Sequence, residues 1–241
     1  DEIGNKRVDV LRAIGVISEE QVDLVAVRGQ YGAGKIMDQE VPAYRAEPGV
    51  AADSATETFA AIKLHVDNWR WQDVPFYLRT GKRLAAKVSQ IMIQFRPVPH
   101  QSFPAAAAQT WQANRLVINI QPEEGILLGF QAKFPGPGLQ LSPADMHFSY
   151  RESFKVRSPD AYETLLADVM AGDATLFMRA DQVNASWSIM TPLLNAWSKT
   201  LPAEFPNYRS GSWGPGSSDE LLARDGRSWF EPISSNDQKA E

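Results

Sequence analysis

The chain has 241 residues, 44% of them hydrophobic, with 24 Lys plus Arg against 29 Asp plus Glu and a formal charge of −5. This is enough apolar material for a sizeable core, and the acidic balance argues against a general nucleic-acid binder. The absence of cysteine excludes disulfides, thiolate metal sites, iron–sulfur clusters and a thiol nucleophile, and no apolar run approaches the ~18 residues that would span a bilayer, so a soluble protein of the cytoplasm is expected.

The chain opens at Asp1 with neither an initiator methionine nor the layout of a secretion signal, and reads as a piece of a longer polypeptide. Val8, Leu11 and Ile14 recur at helical spacing and predict a short helix ending near Gly15. Residues 24–27 read as a strand. Residues 29–50, with Gly32, Gly34, Pro42, Pro48 and Gly49 among few apolar neighbours, read as a long exposed loop.

From Thr58 the pattern turns to period two, with Ala60, Ile62, Leu64 and Val66 on one side and Lys63, His65 and Asp67 on the other, as in a half-buried strand. Further strands are predicted over 76–80, 88–95 (Ile91, Ile93 and Phe95 inward), 116–121, 126–132 and 145–150. Ser158 and Pro159 then suit an N-cap and first helical position, with Tyr162, Leu165, Leu166, Val169 and Met170 on one face before Gly172. A second helix is predicted over 181–199, burying Val183, Trp187, Met190, Leu194 and Trp197, with Pro192 kinking or splitting it. Strands followed by helices predict an α+β fold, helices covering one face of an antiparallel sheet. Residues 1–232 read as one domain without an internal linker. The polar stretch 233–241 reads as a disordered tail.

Gly29, Gly34 and Lys35 have the spacing of a phosphate-binding loop, but Ile36 stands where Ser or Thr would ligate magnesium, and Pro42 leaves no room for the helix that should follow. A plain glycine-rich turn is the expectation, and no dinucleotide-binding glycine motif is present. His65, His100 and His147 have no metal-ligand spacing and form no hydrolytic triad, so each reads as a surface or partly buried histidine. Trp187 and Trp197 suit a helix core; Trp69, Trp71 and Trp213 lie in polar contexts that fit an interface or a lid.

The most informative stretch is 74–87. A strand ends at Gly81, which can adopt positive φ, and Lys82, Arg83 and Lys87 follow within six residues. Lys82 and Lys87 converge only if this segment is an irregular loop. Two readings then stand side by side: an anion site whose ammonium groups bind phosphate or sugar hydroxyls, and a solvated charge cluster.

The residues 74–87, preceded by 54–61 and followed by 114–122, resemble the carboxy-terminal domain of glucose-6-phosphate dehydrogenase, as do 159–163 and 211–215, in the family's order. The resemblance runs from about Asp1 to Pro232. It implies a large, mostly antiparallel sheet with helices on one face, the open face joining a homodimer or homotetramer, with neither nucleic acid nor membrane as partner. It implies oxidation of glucose 6-phosphate at C1 to 6-phosphogluconolactone with hydride transfer to NADP, at the entry to the pentose phosphate pathway. The family's dinucleotide domain and catalytic histidine would precede Asp1, so this chain holds no catalytic residue and should be inactive alone.

Residue by residue, Lys82 and Lys87 match two substrate-binding lysines, and Gln121 a glutamine near the substrate. Arg79 matches a position that touches a second, structural NADP in some animal members. The rest of that set is replaced by Met92, Asn119, Gly129 and Trp213, which implies a bacterial-type member without that site. The alternative reading is a non-catalytic sugar-phosphate-binding or dimerisation module built on the same sheet.

Overall fold

The computed structural model describes residues 2–97, 112–155, 161–200 and 204–231. In chain order, helix α1 (Glu2–Arg12) leads through a 3-10 turn to the single helical turn α2 (Val22–Val25) and strand β1 (Ala26–Gly29). The strand expected over 24–27 thus starts two residues later, because the amide of Ala26 first closes the helical turn on the Val22 carbonyl. Three short strands follow, β2 (Tyr31–Gly32), β3 (Gly34–Ile36) and β4 (Gln39–Val41), then the longer β5 (Phe59–His65) and β6 (Pro75–Gly81). Strands β7 (Ser89–Gln94), β8 (Arg115–Gln121), β9 (Gly125–Lys133) and β10 (Leu141–Ser149) come next. Helices α3 (Tyr150–Phe154), α4 (Ala161–Ala171) and α5 (Ala180–Lys199) then precede β11 (Tyr208–Arg209) and α6 (Gly216–Ala223). The α+β class is the one expected. The strands, however, form not one large sheet but a three-stranded sheet β1-β5-β6 and a four-stranded sheet β10-β9-β8-β7, both antiparallel, besides two small pairings.

The chain divides into two compact units, Asp1–Ala86 with Ala161–Trp229, and Lys87–Asp160 with Phe230–Glu241. In the first, the three-stranded sheet is covered on both faces, which corrects the half-buried reading of β5. Ile62 and Leu64 pack with Ile189, Leu193 and Trp197 of α5, while Phe59 and Ala61 pack with Tyr31, Tyr208 and the α6 leucines Leu221 and Leu222. A strand buried on both sides loses its polar alternation; Lys63 survives there because Asp225 pairs with it at 2.6 Å. Each fully buried aliphatic contributes roughly 1.5–3 kcal/mol.

The helices also turn other faces than predicted. Helix α5 buries Gln182, Ile189, Leu193 and Trp197 and exposes Val183, Trp187 and Leu194. It runs through Pro192 without being split. Gln182 is admitted to the core because its amide donates to the Gly4 carbonyl of α1, at 3.3 Å. On α4, Tyr162, Leu166, Val169 and Met170 are all exposed, and the helix stops as expected where Gly172 takes φ +71°. The capping residues Ser158 and Pro159, His100 and the tail 233–241 lie outside the described residues.

In the second unit the ladder aligns Ile91, Ile118, Ile126 and Phe148 in one row and Ile93, Leu116, Leu128 and Met146 in the next, all on one face. Val117 and Leu127, on the other face, are 1% and 6% exposed. Ile91, Ile93 and Phe95, expected inward, are instead exposed. Period two correctly grouped the isoleucines, but the side it grouped them on is the open one, since the covered face is the one that Val117 and Leu127 share.

Candidate functional site

The turn that carries the cations follows β6. Its glycine does not serve as predicted: the left-handed residue is Arg83, at φ +54°, and Gly81 remains in the strand. Glycine is needed there for space, because a Cβ would sit 2.8 Å from the Phe59 ring carbon Cδ2. The turn is tied down along its backbone. The Lys82 amide donates to the Thr58 carbonyl at 2.8 Å, the Arg83 carbonyl accepts from the Gly211 amide at 2.8 Å, and the Ala85 amide donates to the Ser212 carbonyl at 3.0 Å.

The three cations of this segment meet different fates. Arg83 reaches Glu47 Oε1 at 3.1 Å, the oxygen that also accepts the Tyr31 hydroxyl at 3.2 Å. The hydrogen bond to Glu47, followed by that to Tyr31, holds the Arg83 guanidinium above its ordinary pKa. Lys82 and Lys87 are exposed, and neither ammonium has a partner among the described residues. Gln121, also exposed, ends β8 opposite Ser89, two residues beyond Lys87 in the same unit. The structure therefore gathers Lys87 and Gln121 at one corner of the four-stranded sheet and sets Lys82 on the anchored turn of the other unit. Glu47 and Tyr31, which absorb the middle cation, carried no signal in the sequence, because 36 residues separate Glu47 from Arg83.

An exposed ammonium on a fixed backbone can donate to phosphate oxygens or sugar hydroxyls at the entropic cost of its own side chain only. No comparable cluster of cations gathers elsewhere among the described residues. His65 ends β5 and His147 lies in β10, both exposed, and no cluster able to hold a metal ion occurs among the described residues. A cavity of about 480 Å³ lined by His65, Asp67, Asn68, Trp71 and Asp73 lies at the opposite end of the three-stranded sheet from Gly81.

The glycine-rich segment is a chain crossing, not a phosphate cradle. A Cβ on Gly34 would fall 2.1 Å from the Ser210 carbonyl oxygen, and one on Gly211, at φ +86°, 2.1 Å from the Lys35 carbonyl oxygen. Beside it β2 pairs in parallel with β11, and Lys35 reaches Glu40 across the β3–β4 hairpin at 3.6 Å. Glycines here bring backbones together, so Gln30, Tyr31 and Val41 are buried where an exposed loop was predicted.

Arg79 lies over two indoles, 5.0 Å from the centre of Trp213 and 4.5 Å from that of Trp229, and donates to the Trp213 carbonyl at 3.5 Å. In the second unit a Cβ on Gly129 would meet the Arg115 side chain at 2.9 Å, where Arg115 pairs with Asp145 at 3.5 Å.

Comparison with known proteins is consistent over nearly all of the chain. The family described as "Glucose-6-phosphate dehydrogenase, C-terminal domain" matches residues 1–230. The glucose-6-phosphate 1-dehydrogenase of Mycolicibacterium smegmatis is 45% identical over 233 residues, 95% of this chain and 46% of that protein. The Bacillus subtilis enzyme of the same name is 44% identical over 232 residues, 95% of this chain and 47% of its own. A solved glucose-6-phosphate dehydrogenase in complex with its substrate glucose-6-phosphate superposes with a TM-score of 0.80 at 34% identity, covering 95% of this chain and 45% of that one. The Mycobacterium avium glucose-6-phosphate 1-dehydrogenase does so with a TM-score of 0.74 at 31% identity, covering 95% and 44%. The chain spans about half the length of the curated relatives it matches.

Proposed function

Because the chain belongs to the glucose-6-phosphate dehydrogenase C-terminal domain family, we propose that it is the substrate-holding and subunit-contact part of a cytoplasmic, NADP-dependent enzyme that oxidises glucose 6-phosphate at C1 to 6-phosphogluconolactone. The observation that carries this reading is Lys82, an exposed ammonium without a partner among the described residues, on a backbone-anchored turn directly after Arg79, Thr80 and Gly81, a stretch whose resemblance to the family's motif implies contact with the sugar phosphate. Lys87 and Gln121 supply further contacts to the substrate. These groups bind and orient; none moves a proton.

NADP supplies the hydride acceptor, which no side chain can replace. The residues present do not fit a second dinucleotide: Arg79 is stacked on Trp213 and Trp229, and Met92, Asn119, Gly129 and Trp213 offer no cation to its phosphates. We assign the NADP site to the part of the enzyme that this chain does not include. The open face of the four-stranded sheet supports a subunit contact, because contiguous exposed aliphatic rows on this scale mark an interaction surface. A second copy covering it makes a homodimer, or a homotetramer if a further contact is added.

The test compares NADPH formation by the complete polypeptide and by this chain alone. The complete polypeptide should reduce NADP only when glucose 6-phosphate is added, and this chain should not. Comparable turnover by the isolated chain overturns the division of labour, and failure of the complete polypeptide to turn over this substrate overturns the assignment.

A further inference from the structure

We propose that Tyr208 is a positioning residue for Lys82, holding through its hydroxyl the backbone from which the substrate-binding ammonium projects; this rests on the reading that Lys82 grips the sugar phosphate. Tyr208 is 6% exposed, and its ring is wedged between Phe59 and Tyr31, with ring centres 5.5 Å and 6.4 Å away. Its hydroxyl lies 2.8 Å from the Lys82 carbonyl oxygen, 3.0 Å from Thr58 Oγ1 and 3.2 Å from the Thr58 carbonyl oxygen.

The proton directions follow from the neighbours. Thr58 Oγ1 accepts from the Tyr31 amide at 3.0 Å, so its own hydrogen is free for the Tyr208 oxygen. The Tyr208 hydrogen then goes to the shortest acceptor, the Lys82 carbonyl. The Lys82 amide is bound to the Thr58 carbonyl at 2.8 Å, so Thr58 and Tyr208 together clamp both polar groups of one peptide residue. A loop residue held at both its amide and its carbonyl cannot rotate away from a fixed direction without losing two bonds, and pre-organisation of this kind lowers the cost of gripping a ligand.

A purely structural role for the hydroxyl is the weaker account. The segment around Tyr208 is already fastened by other bonds, from Asn207 N to the Gln30 carbonyl at 3.0 Å, Ser210 N to the Gly32 carbonyl at 3.2 Å and Gly211 N to the Arg83 carbonyl at 2.8 Å. Of the bonds made by this segment among the described residues, the one from the hydroxyl is the one that reaches Lys82.

Tyr208→Phe in the complete enzyme, which keeps the ring and removes the hydroxyl, tests the proposal. The expected result is a KM for glucose 6-phosphate raised roughly five-fold, the loss of about one hydrogen bond, with kcat within about twofold and KM for NADP unmoved. In a Lys82→Ala background the same substitution should change KM no further. A KM unchanged by Tyr208→Phe, or raised equally in both backgrounds, overturns the positioning role. A Lys82→Ala variant with wild-type KM and kcat/KM instead overturns the underlying reading of Lys82, and the proposal with it. Should Tyr208→Phe fail to fold, Thr58→Val removes the hydroxyl that orients the Tyr208 proton. It should show the same KM-selective effect, again absent without Lys82; an effect independent of Lys82 counts against the proposal.

Discussion

Lys63 Nζ lies 2.6 Å from Asp225 Oδ2, and the same carboxylate oxygen accepts the hydroxyl of Tyr77. Lys63 and Tyr77 are direct neighbours across β5 and β6, whereas Asp225 follows α6. A single carboxylate therefore fastens the end of α6 to the sheet. Lys63 first and Tyr77 second hold the Asp225 carboxyl below its ordinary range, while burial, reinforced by Asp225, pushes the Tyr77 hydroxyl up to about 12.

These shifts give stability a pH dependence at both ends. The Tyr77 pKa is raised on folding, so its contribution is complete below about 10 and is lost as pH climbs towards about 12. The Asp225 pKa is depressed, so its contribution is complete above about 4 and falls away on acidification through the folded value. Melting temperature followed against pH should show both limbs. Tyr77→Phe should flatten the alkaline limb and Asp225→Asn the acidic one; limbs unaffected by these changes would assign the dependence to other groups.

Lys82→Ala in the complete enzyme should lower kcat/KM for glucose 6-phosphate at least about tenfold, equivalent to about 1.4 kcal/mol of transition-state binding. Lys87→Ala should act in the same direction. Steady-state kinetics with both substrates varied separates this from an effect on NADP, and an unchanged kcat/KM would return Lys82 to the role of a solvated charge.

Arg28 caps the C-terminus of α5, donating to the Trp197 carbonyl at 2.8 Å, the Thr200 carbonyl at 2.7 Å and the Thr200 hydroxyl at 2.9 Å. Burial lowers its pKa from the ordinary guanidinium value. Arg28→Ala should destabilise the fold by about 1.5–3 kcal/mol, read from the denaturant midpoint. Arg28→Lys should recover little, because one ammonium cannot reproduce bonds from two guanidinium nitrogens.

Two left-handed glycines should respond differently to a methyl group. Gly211→Ala, with a backbone oxygen 2.1 Å from the new Cβ, should cost more than about 4 kcal/mol or prevent folding. Gly226→Ala, at φ +65° with nothing within 4 Å, should cost only about 1–2 kcal/mol of backbone strain. Equal losses at the two sites would show that the close approach of Lys35 and Gly211 relaxes freely.

Leu128→Glu places a charge in the middle of the open aliphatic face. If the proposed subunit contact lies on this face, sedimentation velocity should show smaller species for the variant than for the unchanged protein, while the circular dichroism of the fold is retained. An unchanged sedimentation coefficient would move the subunit contact to another surface.

The sequence by itself located the longer elements in their order: the strands read from Thr58 and over 76–80 and 116–121, found within one or two residues as β5, β6 and β8, the helix over 181–199, and the stop at Gly172, but not β2, β3, β4, β11, α2, α3 or α6. Local spacing carries that information, because period and punctuation are properties of neighbours. It also picked out the segment 82–87 as the place where charge gathers. Tertiary structure alone decided which face of each element is covered. β5 is sandwiched by α5 and α6, α5 buries Ile189 and Leu193 and exposes Trp187, and Ile91 and Ile93 look outward. Periodicity groups residues onto a face without saying what packs there. The fate of individual cations was decided in the same way: Arg83 is claimed by Glu47 and Tyr31, and the Lys82 carbonyl by Tyr208. These partners are distant along the chain from the groups they hold, so no local pattern announces them.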